Sequence, residues 1–523
     1  MKKFFLGIVC CFTVMGCLVS CNDTSEESIF DKVPTTMDHY YSDRLSFADM
    51  GIDINGKTFL EDKIEKVKLK SVTDGDTAVF HISNRGIQDS YTNPLKKSHD
   101  YVTLRFLAID TPESTSSIAP WGKKASKYAK SLLENAAGLI IDATSIDTSK
   151  YESVYDTFKS GVRLDSNGSR WLGIVWYCPQ GMDANNLYNY RLYQLDVIEE
   201  CYSFYTGNLG ATSWCYNADK TKEPKLYERH KEDYGSLQLS DVLFEADLRM
   251  QSLEKRYTGN EIDENYDYST TPTEMTIKEA LNNFEEYSQN CKYVALTGVI
   301  TRFVGVNFYF QDAEGYAMYV YMGIDAKSIG SLFSVGDTIN IRGRLSEYGG
   351  QKQLTDIVYE RDTFKKVTDA SKVVSMPEPI VLDPNKDFNM TTLNSYVGKL
   401  IKVQIKLSSS KKTEANMSKD LSYTIYASNK ITDLAALTSS YNTMSVRING
   451  TLNPGYSLDE VNGEGDYAGK GIIGKTVEVV GIMGIYLEED KASTENYPSY
   501  QIVVGNRKVL DNNVYESDFV VIE

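Results

Sequence analysis

Three short stretches collect the residue types that hydrolytic chemistry needs: "DGDT" at 74–77, "RFLAIDTPE" at 105–113 and "RLDSNGSR" at 163–170. In the second, strict alternation puts Arg105 on the face of Leu107 and Ile109. An unpaired guanidinium is costly there, so an anionic partner is expected, either fixed or supplied by a ligand. Asp110 and Glu113 follow where Thr111-Pro112 turns the chain, and they can converge on one site. Two acids beside a backbone carbonyl make a hard oxygen site for a cation such as Ca²⁺. A further acid and two arginines next to it can activate water and hold a phosphate. A buried Arg–carboxylate pair with a capped turn explains any one of these clusters equally well, and Asp-Gly alone is a common hairpin turn. The four histidines, His39, His81, His99 and His230, have no metal-ligand or nucleophile spacing, which leaves carboxylate–arginine chemistry unopposed.

The elements that must position these residues are legible as periodic stretches. "EKVKLKSVTDGDTAVFHI" alternates and predicts two strands around the Asp-Gly turn. "WGKKASKYAKSLLENA" predicts a helix with Trp121, Ala125, Tyr128, Ala129 and Leu132 on one side. "GLIIDAT" and "RWLGIVWY" read as strands, and "SDVLFEADLRMQSLEKRYTG" as a helix closed by Gly259. This first unit spans 63–259, and residues 260–274 are an acidic, turn-rich linker. After a short amphipathic helix, "KYVALTGVITRFVGVNFYFQDAEGYAMYVYMG" and "FSVGDTINIRGRLSEYGGQKQLT" give about five short strands. The pattern then repeats: "SYVGKLIKVQIKLSS" answers the first of these and "IIGKTVEVVGIMGIY" the second. Two small barrels are expected, at 275–375 and 376–523, of which the OB-fold is the commonest kind.

The order DGDT, R-x-L-x-x-D-T-P-E, the helix from "WGKK" and an R-x-D-x-x-G-x-R turn followed by "WLGIVWY" resembles the thermonuclease (staphylococcal nuclease-like) family. The resemblance covers roughly residues 66 to 258. It implies a multidomain, mainly β chain: an OB-type barrel with helices (α+β), then two OB-like barrels. It further implies that Asp76 and Asp110 ligate Ca²⁺, that Thr111 adds its carbonyl and that Thr77 lines the site. Glu113 matches the residue that orients or deprotonates the attacking water. Arg105 and Arg170 match the two guanidiniums on the scissile phosphate, a role that bidentate arginine suits better than lysine. The implied activity is hydrolysis of DNA and RNA with little sugar preference, leaving 3′-phosphate ends. Two features depart from the family pattern: Asn167 and Ser169 replace the usual D-x-Y-G-R spacing, and long inserts occur at "GIQDSYTNPLKKSHD" and "YTGNLGATSWCYNADKTKEPKLYERH".

Tyr202, Phe204 and Tyr205 stand where the family places groove aromatics, though core packing accounts for an aromatic cluster equally well in a chain of 37 tyrosines. In the first small barrel, Tyr309, Tyr319, Tyr321, Arg342, Arg344 and Lys352 compose a face that can stack bases and track phosphates. The alternative function is a non-catalytic surface lipoprotein that binds nucleic acid or glycan through these barrels, and a structural role is a third reading, with a spacer or a protein contact favoured for the acidic last barrel.

The N-terminus, "MKKFFLGIVCCFTVMGCLVSC", has a basic head, a short apolar core and a small residue before Cys21, the layout of an export signal (1–20). "LVSC" resembles a bacterial lipobox, which implies a lipid on Cys21, a tether through 21–62 and a place in the cell envelope, at the outer membrane. The formal charge of −17 disfavours passive, tight binding of polyanions and suits an enzyme that releases its substrate. Cys178, Cys201, Cys215 and Cys291 lack zinc spacing; a bridge from Cys201 to Cys215 or Cys178 and buried free thiols are both open.

Overall fold

Each barrel is built on a long first strand that changes partner halfway. The computed structural model describes residues 36–83, 101–115, 117–144, 165, 170–207, 209, 215–216, 237–323, 333–358, 364–412, 423–434, 442–448, 458–465, 468–487, 490–491, 497–504 and 518–522. Strand β1 (Ile64–Asp74) pairs through Ile64–Val67 with β4 (Gly138–Asp142) and through Lys68–Asp74 with β2 (Thr77–His81). A register shift between Leu69 and Ser71 sits just past the switch, and a bulge there bends the strand so that it serves both sides. β3 (Tyr101–Phe106) runs antiparallel to β2 and parallel to β5 (Trp171–Cys178), which returns to β4 and closes a five-strand ring.

The same ring recurs twice. The second comprises β6 (Tyr293–Val304), β7 (Asn307–Gln311), β8 (Ala317–Val320), β9 (Thr338–Tyr348) and β10 (Gln351–Thr355). The third comprises β11 (Leu400–Lys412), β12 (Tyr423–Lys430), β13 (Thr443–Ile448), β14 (Thr476–Leu487) and β15 (Pro498–Val504). In both, the first strand pairs with the fourth and then with the second across a register shift, and the third and fifth strands are the parallel pair. The echo between "GDTINIRG" and "GKTVEVVG" has a steric cause. A Cβ on Gly343 would lie 2.4 Å from the Thr355 carbonyl oxygen, and one on Gly481 2.8 Å from that of Val503, so the fifth strand crosses closely at both glycines. The chain is thus multidomain and mainly β, with three barrel-like sheets and few helices. Among the described residues no helix is long and apolar enough to cross a membrane.

Among the described residues the longest helices packed on the first ring are α1 (Gly122–Leu133), α2 (Tyr193–Glu199) and α3 (Leu239–Gln251). α1 buries Ala125, Ala129 and Leu133, four residues apart, in the first core, with Tyr128 and Leu132 at its edge. α3 stops at Gln251, not at Gly259, because Glu254 and Arg256 take left-handed backbone that ends the helical run. Residues 36–62, expected as tether, are partly core: Tyr41, Phe47, Ile54 and Phe59 are buried in the first cluster, with Phe47 edge-on to Trp176 at 5.5 Å. These apolar residues follow no fixed period because short helical turns carry them, so they read as loop. Cys178, Cys201 and Cys291 are buried free thiols, so neither Cys178 nor Cys201 is bridged. Cys21 and the insert at 86–100 lie outside the described residues.

The units touch one another. Tyr309 of β7 packs with Leu400, Ile482 and Val503 of the third ring. Arg302, fully buried in β6, pairs with Asp518 at 3.0 Å. His81 at the end of β2 meets Asp490 at 2.9 Å, and the Lys491 N–H donates to the Lys70 carbonyl at 2.8 Å. Lys123 of α1 reaches Ser346 of β9 at 3.3 Å.

Candidate active site

The β1–β2 turn is the floor of the site. Asp74 and Thr77 are paired across the hairpin, which leaves Gly75 and Asp76 at its tip. A Cβ on Gly75 would come 2.6 Å from Thr111 Oγ1, so glycine lets the loop after β3 lie directly on the turn. The Tyr193 hydroxyl of α2, fully buried, donates to the Gly75 carbonyl at 2.6 Å. The Phe106 N–H donates to the Asp76 carbonyl at 2.8 Å, fixing the turn to the end of β3.

β3 then delivers the arginine. Its core face is Val102, Leu104 and Phe106, and Arg105 lies on the other face, opposite Thr77. The expected sharing of a face with Leu107 and Ile109 fails because the strand ends at Phe106 and Ala108 turns with a positive φ of 70°. The guanidinium is nonetheless shielded, at 19% exposure, and bonds Asp76 through Nη1 and Asp110 through Nη2. The Thr111 N–H donates to the second Asp76 oxygen at 3.0 Å. Ser203 holds the backbone of Asp110 from both sides: its Oγ accepts from the Asp110 N–H at 2.8 Å and lies 3.2 Å from the Asp110 carbonyl.

Glu113 stands at the exposed rim. The Ala119 N–H donates to its carbonyl at 2.9 Å, and a Cβ on Gly122 would fall 2.0 Å from the same oxygen. Glycine is therefore required for α1 to start against this loop. Arg170 is fastened to Asp165 by Nε at 2.7 Å and reaches Thr77 Oγ1 through Nη1 at 3.5 Å. Asn167 and Ser169, the departures within that turn, lie outside the described residues.

Burial first, and then the Asp74 charge, push Asp76 up to about 7 against the pull of Arg105. Asp74 is raised by burial as well, with Glu113 adding to it. Partial desolvation and the charges of Asp76 and Asp110 raise Glu113, while Arg105 and Arg170 oppose the shift. The arrangement is a surplus of carboxylates gathered around one guanidinium, with a second at the edge.

Thus Asp76, Thr77, Arg105, Asp110, Thr111, Glu113 and Arg170 share one site. The aromatic and barrel residues do not present themselves as expected. Tyr202 is buried between Trp121 and Tyr128, with the Arg256 guanidinium 4.6 Å over its ring, and Tyr205 packs against the same core. Of that trio Phe204 alone is exposed, at 37%. Tyr309 is covered by the third ring. Arg344 is buried and directs N–H groups to the Cys291 carbonyl, Asp356 and the Asp267 carbonyl while stacking on Tyr266, so it is not presented to a phosphate. Lys352 lies over the Phe284 ring at 4.6 Å.

A second acidic grouping, His39 with Asp196 and Glu199, was invisible to spacing. Both His39 nitrogens are hydrogen-bonded to carboxylates, Asp196 and Glu200, each at 2.8 Å. Those bonds raise His39 to about 10, so in this arrangement the ring is a charged donor to both acids. No protein-family model matches the chain, and no curated protein matches it either.

Proposed function

We propose that the chain is an exported, Ca²⁺-dependent phosphodiesterase that hydrolyses DNA and RNA by attack of water, with a thermonuclease-type site in its first barrel. The observation that carries this reading is the convergence of Asp76, Arg105, Asp110, Glu113 and Arg170, from three separated stretches, on the single turn at Gly75–Asp76. The ring order, with its one parallel pair, suits an OB-type barrel in all three units and is the frame such a site would use in the first.

The side chains suit a hard cation. Thr111 Oγ1 is buried without a hydrogen-bond partner beside Gly75, and Asp74 and Asp76 are both raised, by burial first and then by neighbouring carboxylate charge that a cation would offset. Asp76, Asp110 and the Thr111 carbonyl are the ligands proposed for Ca²⁺, which when bound polarises phosphoryl oxygens. Glu113, raised by its surroundings, is the better placed to take a proton from water. Arg105 exchanges its carboxylate partners for the phosphate, and with Arg170 it stabilises charge that grows in the five-coordinate transition state. Phe204, exposed next to Ser203, takes over from Tyr202 as the aromatic available to a base. In the second barrel Tyr309 and Arg344 are buried, whereas Tyr319, Tyr321, Arg342 and Lys352 keep part of their surface, so any capture of nucleic acid or glycan there would rest on those four.

Digestion of single-stranded DNA, duplex DNA and RNA by the full chain, with Ca²⁺ and with a chelator, tests the proposal beside Glu113→Ala. Cleavage of all three that needs Ca²⁺ and fades by roughly 10²-fold in the variant is expected. Cleavage that ignores both the chelator and the substitution removes it. The envelope anchor at Cys21 belongs to the same proposal, and palmitate labelling that survives Cys21→Ser would refute it.

A further inference from the structure

The segment between the first and second barrels is not a free spacer. Asp263 is buried, and its Oδ2 accepts from the Trp121 N–H at 2.8 Å while Oδ1 pairs with Lys124 at 2.7 Å, so a residue 142 positions away acts as the cap of α1. Trp121 itself has a left-handed backbone and no side-chain cap of its own. Its indole N–H donates to the Glu261 carbonyl at 2.8 Å. The Tyr266 hydroxyl donates to the Ile118 carbonyl at 3.1 Å. These contacts seize one end of the loop 113–121, whose other end is Glu113 and whose two ends are joined by the Ala119 N–H on the Glu113 carbonyl. On its far side the strap is held by the second barrel: Arg344 donates to the Asp267 carbonyl at 2.7 Å and stacks on Tyr266, and the Tyr293 N–H donates to Asp267 Oδ2 at 3.0 Å. Thr355 of β10 also reaches the Thr115 carbonyl directly, at 3.5 Å.

We propose that Asp263 and Tyr266 are positioning residues that set Glu113 through the loop 113–121, and that the second barrel serves the reaction by clamping this strap. The role of Glu113 rests on the phosphodiesterase reading; the coupling of strap to loop does not. A general base displaced by about 1 Å loses on the order of 10²-fold in rate, so a loosened loop lowers kcat and leaves substrate binding by the two arginines in place.

The test uses the full chain and two readouts. Hydrogen exchange of the amides from 113 to 122 is compared in wild type, Asp263→Ala, Asp263→Asn and Tyr266→Phe, and kcat and KM are measured on single-stranded DNA with Ca²⁺. Expected are exchange about fivefold or more faster in Asp263→Ala, kcat down about tenfold and KM within about twofold, with Asp263→Asn intermediate, because an amide oxygen still caps Trp121 while the pair with Lys124 is lost. Tyr266→Phe, which keeps the ring on Arg344, gives a smaller change of the same sign and carries the test should Asp263→Ala not fold. Unchanged exchange in a folded Asp263→Ala chain, or in Tyr266→Phe if the alanine variant is lost, overturns the proposal. So does a rise in KM at constant kcat. Faster exchange in the variants of a chain whose wild type cleaves nothing keeps the coupling and removes the nuclease.

Discussion

Arg105 holds two carboxylates at once, and that double pairing defines what its removal does. Arg105→Ala leaves Asp76 buried beside Asp74 without its cationic partner, held by Thr77 and the Thr111 N–H. A loss of about 10²-fold or more in kcat is expected, and Arg105→Lys recovers little, since an ammonium cannot hold two partners in one plane; single-turnover cleavage of a labelled oligonucleotide measures both. Ser203 is the residue that composition hides. It touches Asp110 only through the backbone, so Ser203→Ala keeps every ligand and loosens one of them. The Kd for Ca²⁺, read by calorimetry without any substrate, should rise about tenfold, as when a metal ligand loses its outer support. An unchanged Kd would show that Asp110 needs no such brace.

At the scale of elements, the stretch 36–62 is strapped onto α2 by charge. His39 bonds Asp196 and Glu200, while the Tyr41 and Ser42 N–H groups donate to Glu199 at 2.6 and 3.0 Å. Arg191 and Arg256 face the same acids. Because His39 is raised from 6.5 to about 10, its contribution is fully present below pH 6.5 and is lost as pH rises through about 10. His39→Gln should therefore lower Tm clearly at pH 6 and hardly at pH 10.5, which thermal melts at the two values decide. This strap also marks the limit of what the sequence discloses. Strands such as 64–74 and 77–81 are legible because polar and apolar residues alternate, and the second and third rings echo one another through glycines that a crossing strand demands. Arg105, Asp110 and Glu113 are legible because nine residues hold all three, and Asp76 because it sits in the Asp-Gly-Asp turn of a hairpin. Ser203, Tyr193 and Asp263 are not, since they reach the site from 93, 118 and 142 residues away along the chain, and only tertiary packing brings them there. Arg344 and Tyr309 misled for the converse reason: residue type suggests a ligand, whereas partners in the same barrel and the linker hold Arg344 and the third ring covers Tyr309.

For the whole molecule, the Arg302–Asp518 pair is the contact with most at stake. Both side chains are nearly excluded from water, and the guanidinium also donates to the Thr301 carbonyl at 2.7 Å. Asp518→Ala leaves a buried positive charge and should cost about 3–5 kcal/mol, whereas Arg302→Met with Asp518→Leu should recover most of it. Urea denaturation of the three chains tests this, and equal losses in the single and double variants would contradict it.

The contacts among the barrels also form a closed circuit. The first meets the second at Lys123–Ser346, the second meets the third at Tyr309 and Arg302, and the third returns to the first at Asp490 and Lys491. A triangle stays shut when one side is cut. A protease that nicks the exposed connector at Val373 to Met376 should thus yield two fragments that still migrate as one particle in gel filtration, and the chain holds its shape by triangulation, independent of its continuity there.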